Sequence, residues 1–173
     1  NVKDIQITPA EIIIKKLIAS LSCLVLLSCG FHLRGLALIP FESVYIGSSN
    51  PSTTLDIKRR IEASSKTIVL NSPGDAQATL DIIQARHNKV ILSVSGTGRV
   101  REYQLRYFLS FRVLDRKGSV IVPVTKIRVN RVLPFSDSAF VSSQMEEQML
   151  VKEMQKDAIL KMMDRLGKVN SLN

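Results

Sequence analysis

Cysteine and histidine are almost missing from this 173-residue chain, with two of each. The imidazoles, His32 and His87, lie far apart and neither stands in metal-ligand spacing. No glycine-rich loop leads from a strand into a helix, and no Ser/His/Asp arrangement carries a local signature. Asp81 and Glu102 could be imagined as paired carboxylates, but chance explains them better. His87 reads as a surface strand residue. The expectation is therefore no enzyme, no metal and no cofactor. Acidic side chains are also scarce, 15 against 24 Lys and Arg, for a net charge of +9. Such a balance suits anionic partners: nucleic acid, a phosphorylated glycolipid or an acidic protein surface. Internal repeats and low-complexity segments are absent.

What is present begins with an export signal. Lys15 and Lys16 precede an apolar run, Leu17 to Leu27, which closes on Leu26-Leu27-Ser28-Cys29-Gly30. Cations, an apolar core and then small residues are the layout of a secretory leader. A small residue before cysteine is what a lipoprotein signal peptidase requires. Residues 1–28 are thus expected to be a lipoprotein signal peptide, cut between Ser28 and Cys29. Cys29 would carry a thioether-linked diacylglycerol and an N-acyl chain. The competing reading, a buried helix whose cysteine happens to follow Ser28, fits less well, since the run is short for a spanning helix and its cationic flank is on the expected side. Cys23 is a poor rival because Ser20 is a bad −3 residue. One cysteine leaves with the leader and the other is acylated, so no intrachain disulfide can form and the core must hold by packing. One acyl chain binds a membrane marginally, whereas three, at about 0.8 kcal/mol per buried CH₂, hold essentially permanently. An exported chain rarely meets nucleic acid, so that partner drops out. Asn1 to Glu11, ahead of the cations, are expected to be an over-called start.

The remainder suits one domain. Residues 29–42 read as lipid anchor and linker, 43–167 as the folded domain and 168–173 as a short tail. Ser43 to Ile46 is a short strand ended by Gly47. Asn50-Pro51 starts a helix of roughly three turns, Asn50 as cap and Pro51 at the first helical position, with Ile57 and Ile61 one turn apart. Its Lys58-Arg59-Arg60 run reads as a solvated face. Thr67 to Leu70 is a brief strand. Ala78 to Val94 alternates imperfectly, with Leu80, Ile82, Val90, Leu92 and Val94 in phase and a polar middle that suggests a bulge. After the Ser95–Gly98 hairpin loop, the clearest strand follows. Tyr103, Leu105, Tyr107, Leu109, Phe111 and Val113 share one face; Glu102, Gln104, Arg106, Phe108, Ser110 and Arg112 share the other. One surface is buried and the other is wet or faces a partner. A turn at Asp115–Gly118 leads to a last strand, Val120 to Val132, which Pro123 marks as an edge or a bulge. Ser143 with Glu146 reads as a capping box for a long helix ending near Gly167. All five methionines fall on that helix, which suggests core filler for most and a second, outward surface for the helix. The fold class expected is α+β: two helices on a mostly antiparallel, mixed sheet of about four strands, a two-layer sandwich.

Three segments then carry a resemblance. Cys29-Gly30-Phe31-His32-Leu33-Arg34-Gly35 looks like the mature N-terminus of the LptE family of lipopolysaccharide-assembly lipoproteins. Glu102-Tyr103-Gln104-Leu105 and Glu147-Gln148-Met149-Leu150-Val151-Lys152-Glu153-Met154 agree with it in order and spacing. The resemblance implies an outer-membrane lipoprotein on the periplasmic side, one-to-one with an LptD-like β-barrel that it plugs and helps assemble. It also implies lipopolysaccharide as ligand. Gly30 agrees, because an Asp after the lipidated cysteine retains many Gram-negative lipoproteins in the inner membrane. The chain departs from some relatives in lacking a long polar C-terminal tail, in having no cation within Ser95–Gly98, and in carrying Ser143 where a Lys would be expected. Lipopolysaccharide-binding residues are therefore not carried over from the family. Candidates come instead from the charge pattern: Arg99 and Arg101 at the hairpin, Arg106 and Arg112 on the wet face of one strand, Lys126 and Arg128 on its neighbour. Guanidinium groups bind the phosphates of lipid A bidentately. A solvated or barrel-facing basic surface is the other reading of the same residues. An accessory lipoprotein of another envelope machine, such as barrel insertion, is the other reading of the function.

Overall fold

The computed structural model describes residues 39–136, 138 and 140–169. The leader, Ser28, Cys29 and His32 lie outside the described residues. Five strands and two helices follow in the order β1 (Ser43–Ser48), α1 (Pro51–Ser64), β2 (Ile68–Leu70), β3 (Ala78–Val94), β4 (Val100–Asp115), β5 (Val120–Pro134) and α2 (Phe140–Lys168). The sheet order is β2-β1-β3-β4-β5. β1 lies parallel to both β2 and β3, while β3, β4 and β5 form an antiparallel meander. The sheet is thus mixed, with five strands where the pattern suggested about four.

Local chemistry explains most boundaries. Asn50 caps α1 through Oδ1, which accepts from the Thr53 backbone N–H at 3.2 Å, and Pro51 opens the helix. The hairpin loops each need one left-handed residue, supplied by Gly98 (φ 77°) and Gly118 (φ 82°). In the second loop, Asp115 Oδ1 accepts from the Lys117 and Ser119 backbone N–H groups at 2.8 and 2.7 Å. Helix α2 starts at Phe140, so Ser143 lies inside it, 8% exposed, and does not act as its cap. The helix begins three residues ahead of the point the capping pattern marks.

Both helices cover one face of the sheet. The core joins Ile57 and Ile61 of α1, Met154, Ala158, Ile159, Met162, Met163 and Leu166 of α2, and the inward residues of the strands. On β4 those are Leu105, Tyr107, Leu109, Phe111 and Val113, as the alternation requires. Each such side chain contributes about 1.5–3 kcal/mol on burial. Polar ties fix α2 over the sheet and α1: Lys89 pairs with Glu147 at 2.6 Å, Arg131 with Asp157, and Gln155 donates to Asp56 at 2.8 Å. Ile39 and Phe41, within the expected linker, pack against the core.

The phase of β3 differs from the reading made on its apolar residues. The register with β4 skips Ile83 and again Leu92. Ala78, Leu80 and Ile82 point into the core, but past the first bulge the alternation inverts. Val90 therefore lies opposite Gln104 on the other face, out of phase with Leu80. Pro123 occupies both roles expected of it: β5 is an edge strand and its register shifts between Val122 and Thr125.

Candidate functional site: the open cationic face of the sheet

The face of the meander away from the helices is built from cross-strand rows. Gln84, Ser110 and Lys126 form one row; Arg86, Phe108 and Arg128 the next; Asn88, Arg106 and Asn130 a third; Val90, Gln104 and Val132 a fourth. Pairing directly opposite brings these side chains within reach of each other. The Phe108 ring sits at the centre. The Arg86 guanidinium lies 5.6 Å from its centroid and that of Arg128 5.3 Å, within the range of cation–π attraction. Arg106 Nε donates to Gln104 Oε1 at 2.6 Å.

Charge on this face is strongly one-sided. Its carboxylates, Asp81 and Glu102, are engaged: Asp81 pairs with Arg112 at 2.9 Å, and Glu102 accepts from the Ser93 hydroxyl at 2.6 Å. That leaves Arg86, Arg106, Lys126 and Arg128 within three adjacent rows and no carboxylate in those rows. The Asn88 Oδ1, opposite Arg106, is buried and lacks a hydrogen-bond partner. Guanidinium groups beside an aromatic ring can make paired N–H contacts to an anion, and the rigid sheet keeps the cations apart.

The six cations singled out from the sequence do not form one cluster. Arg106, Lys126 and Arg128 share the central patch. Arg112 shares the face but is neutralised by Asp81. Arg99 lies in the hairpin loop and Arg101 at a register shift between β3 and β4, both at the far end. Arg86 completes the patch and was not among the six. Its signal was the polar middle of β3, where the bulge at Ile83 turns even-numbered residues outward. His87, exposed as expected, lines a shallow groove of about 480 Å³ with Gln144, Glu147, Gln148, Val151 and Lys152. Among the described residues no group of three or more His, Cys, Asp or Glu side chains is placed to hold a metal ion. None of the described helices is long and apolar enough to cross a membrane.

Fold and surface together define a two-layer α+β domain, with one sheet face closed by helices and the other open and cationic. Residues 41–166 match the family model described as LptE, lipopolysaccharide-assembly, and the chain belongs to that family. It is 28% identical over 159 residues to the LPS-assembly lipoprotein LptE of Photorhabdus laumondii, covering 90% of this chain and 86% of the relative. To that of Yersinia enterocolitica it is 29% identical over 159 residues, covering 87% and 73%. Among solved structures, a lipoprotein B of Nitrosomonas europaea is 35% identical with a TM-score of 0.73, covering 82% of this chain and 93% of its own. The rare lipoprotein B of Shewanella oneidensis is 25% identical with a TM-score of 0.62, covering 76% and 99%.

Proposed function

We propose that this chain is an outer-membrane lipoprotein, anchored through acylated Cys29, that plugs and helps assemble an LptD-type β-barrel and binds lipopolysaccharide during its delivery to the outer leaflet. The role is one of assembly and binding rather than catalysis. The observation that carries the ligand part is the Arg86–Phe108–Arg128 row, flanked by Arg106 and Lys126 on a face without a free carboxylate. Lipid A phosphates meet several guanidiniums there at once, each able to make paired N–H···O contacts. Binding through phosphates needs no deep acyl-chain pocket, so the glycolipid can be received and passed on. The barrel contact uses the folded domain, and the acyl chains hold it at the membrane.

The test is charge reversal of Arg86, Arg106 and Arg128 together, with Arg99 and Arg101 reversed in a separate variant. Lipopolysaccharide binding by the purified protein in mild detergent should weaken at least about tenfold in the first variant, a loss of about 1.4 kcal/mol. Unchanged binding with an intact fold would remove the sheet face as the site; a loss confined to the second variant would move it to the hairpin. Copurification of one large β-barrel in a one-to-one complex tests the partner, and a different envelope machine recovered in its place would overturn that part. Mass spectrometry of the mature N-terminus tests Cys29.

A further inference from the structure

We propose that Met145 and Met149 form a paired oxidation site on the outer face of α2, where hydroperoxides convert both thioethers to sulfoxides while the domain stays folded. All five methionines belong to this one helix, and the fold divides them sharply. Met154 and Met162 are 0% exposed and Met163 is 2% exposed, whereas Met145 is 69% and Met149 62% exposed. The three buried sulfurs sit in the core between helix and sheet, shielded from an oxidant in solution. Met145 and Met149 are one turn apart on a common face, and Val141, 70% exposed, continues the strip by another turn.

The chemistry balances with a peroxide as sole co-reactant. A sulfur lone pair attacks the terminal peroxide oxygen, the O–O bond breaks as the S–O bond forms, and the proton on the transferred oxygen passes to the departing hydroxide, which leaves as water (or to the alkoxide of an alkyl hydroperoxide, which leaves as an alcohol). Sulfur is oxidised by two electrons and the peroxide is reduced by two. The product is a polar, chiral side chain in place of a flexible apolar one. Two such changes make two of the strip's three apolar positions polar and leave the core intact. The reverse step belongs to dithiol-dependent sulfoxide reduction, in which two thiols become a disulfide and the oxygen leaves as water. The cationic sheet face lies on the other layer and carries no methionine.

The sequence makes the test clean. Trypsin releases Met145 and Met149 in the peptide Val132–Lys152, Met154 in Glu153–Lys156, and Met162 with Met163 in Met162–Arg165. Hydrogen peroxide acting on the folded protein should add one oxygen to each of Met145 and Met149 at least about tenfold faster than to the other three. In guanidinium all five should react at similar rates. The doubly oxidised folded protein should keep its melting curve, elute earlier from a hydrophobic-interaction column, and return to its original mass with methionine sulfoxide reductases. A Met145→Leu/Met149→Leu variant should take up oxygen at least about tenfold more slowly under the same conditions and keep its retention. Comparable rates in the three peptides of the folded protein, unfolding on oxidation, unchanged retention, or a mass the reductases do not restore would each overturn the proposal.

Discussion

Replacing Phe108 and Phe111 separately by Ala tests whether one sheet face is closed and the other open. The two rings are three residues apart on β4 and point to opposite faces. Phe111 is 0% exposed in the core, where truncation to Ala leaves a cavity and costs about 3–5 kcal/mol. Phe108 is part-buried between two guanidiniums at 5.6 and 5.3 Å. Its loss removes two cation–π contacts of about 0.5–1 kcal/mol each and part of the ring's apolar burial, so Phe108→Ala should cost about 2–3 kcal/mol, less than Phe111→Ala. At about 4 °C per kcal/mol for a domain of this size, melting should fall by about 8–12 °C in the Phe108 variant and 12–20 °C in the Phe111 variant. Urea titration gives the same contrast as midpoint shifts with an unchanged slope. A double-mutant cycle of Arg86→Ala with Phe108→Ala should return a coupling of about 0.5–1 kcal/mol. Equal costs for the two phenylalanines would mean that the outward face is covered, and zero coupling would mean that the guanidinium does not rest on the ring. Either result refutes the reasoning behind the candidate site.

Further outcomes follow from single groups. Burial pushes the Tyr107 phenol above its ordinary 10.0, with the Thr53 hydroxyl opposing the rise and the Asp56 carboxylate adding to it. A raised folded value means that its contribution is complete below about pH 10 and is lost as pH climbs through the folded value; Tyr107→Phe should flatten the alkaline fall in stability measured by urea midpoints. Thr53 is 1% exposed and its Oγ1 makes no hydrogen bond of normal geometry, so Thr53→Val should be neutral or stabilising by up to about 1 kcal/mol in thermal melts. Asn50→Ala removes the cap of α1 and should cost about 1 kcal/mol by the same measurement.

Much of the domain was legible before any contact was known. The strict alternation from Glu102 to Val113 identified the inward row of β4, and Asn50-Pro51 marked the start of α1, because both signals are local. The capping box at Ser143 misled for the same reason. Its pattern is local, but the helix begins earlier and holds Ser143 in its buried side. The methionine-rich stretch announced a helix with both inward and outward uses, without saying which sulfurs would be covered.

The sequence by itself determined the α+β class, the two faces of β4, the excess of cations, and the family likeness carried by three short segments. Only the tertiary structure decided how the rows assemble across the sheet. The bulge at Ile83 falls where the pairing of β3 with β1 ends, at Ile82, and shifts its register against β4. That single extra residue turns Arg86 outward to join Phe108 and Arg128. Side-chain direction in a strand depends on register, and register is a property of paired strands rather than of any one of them.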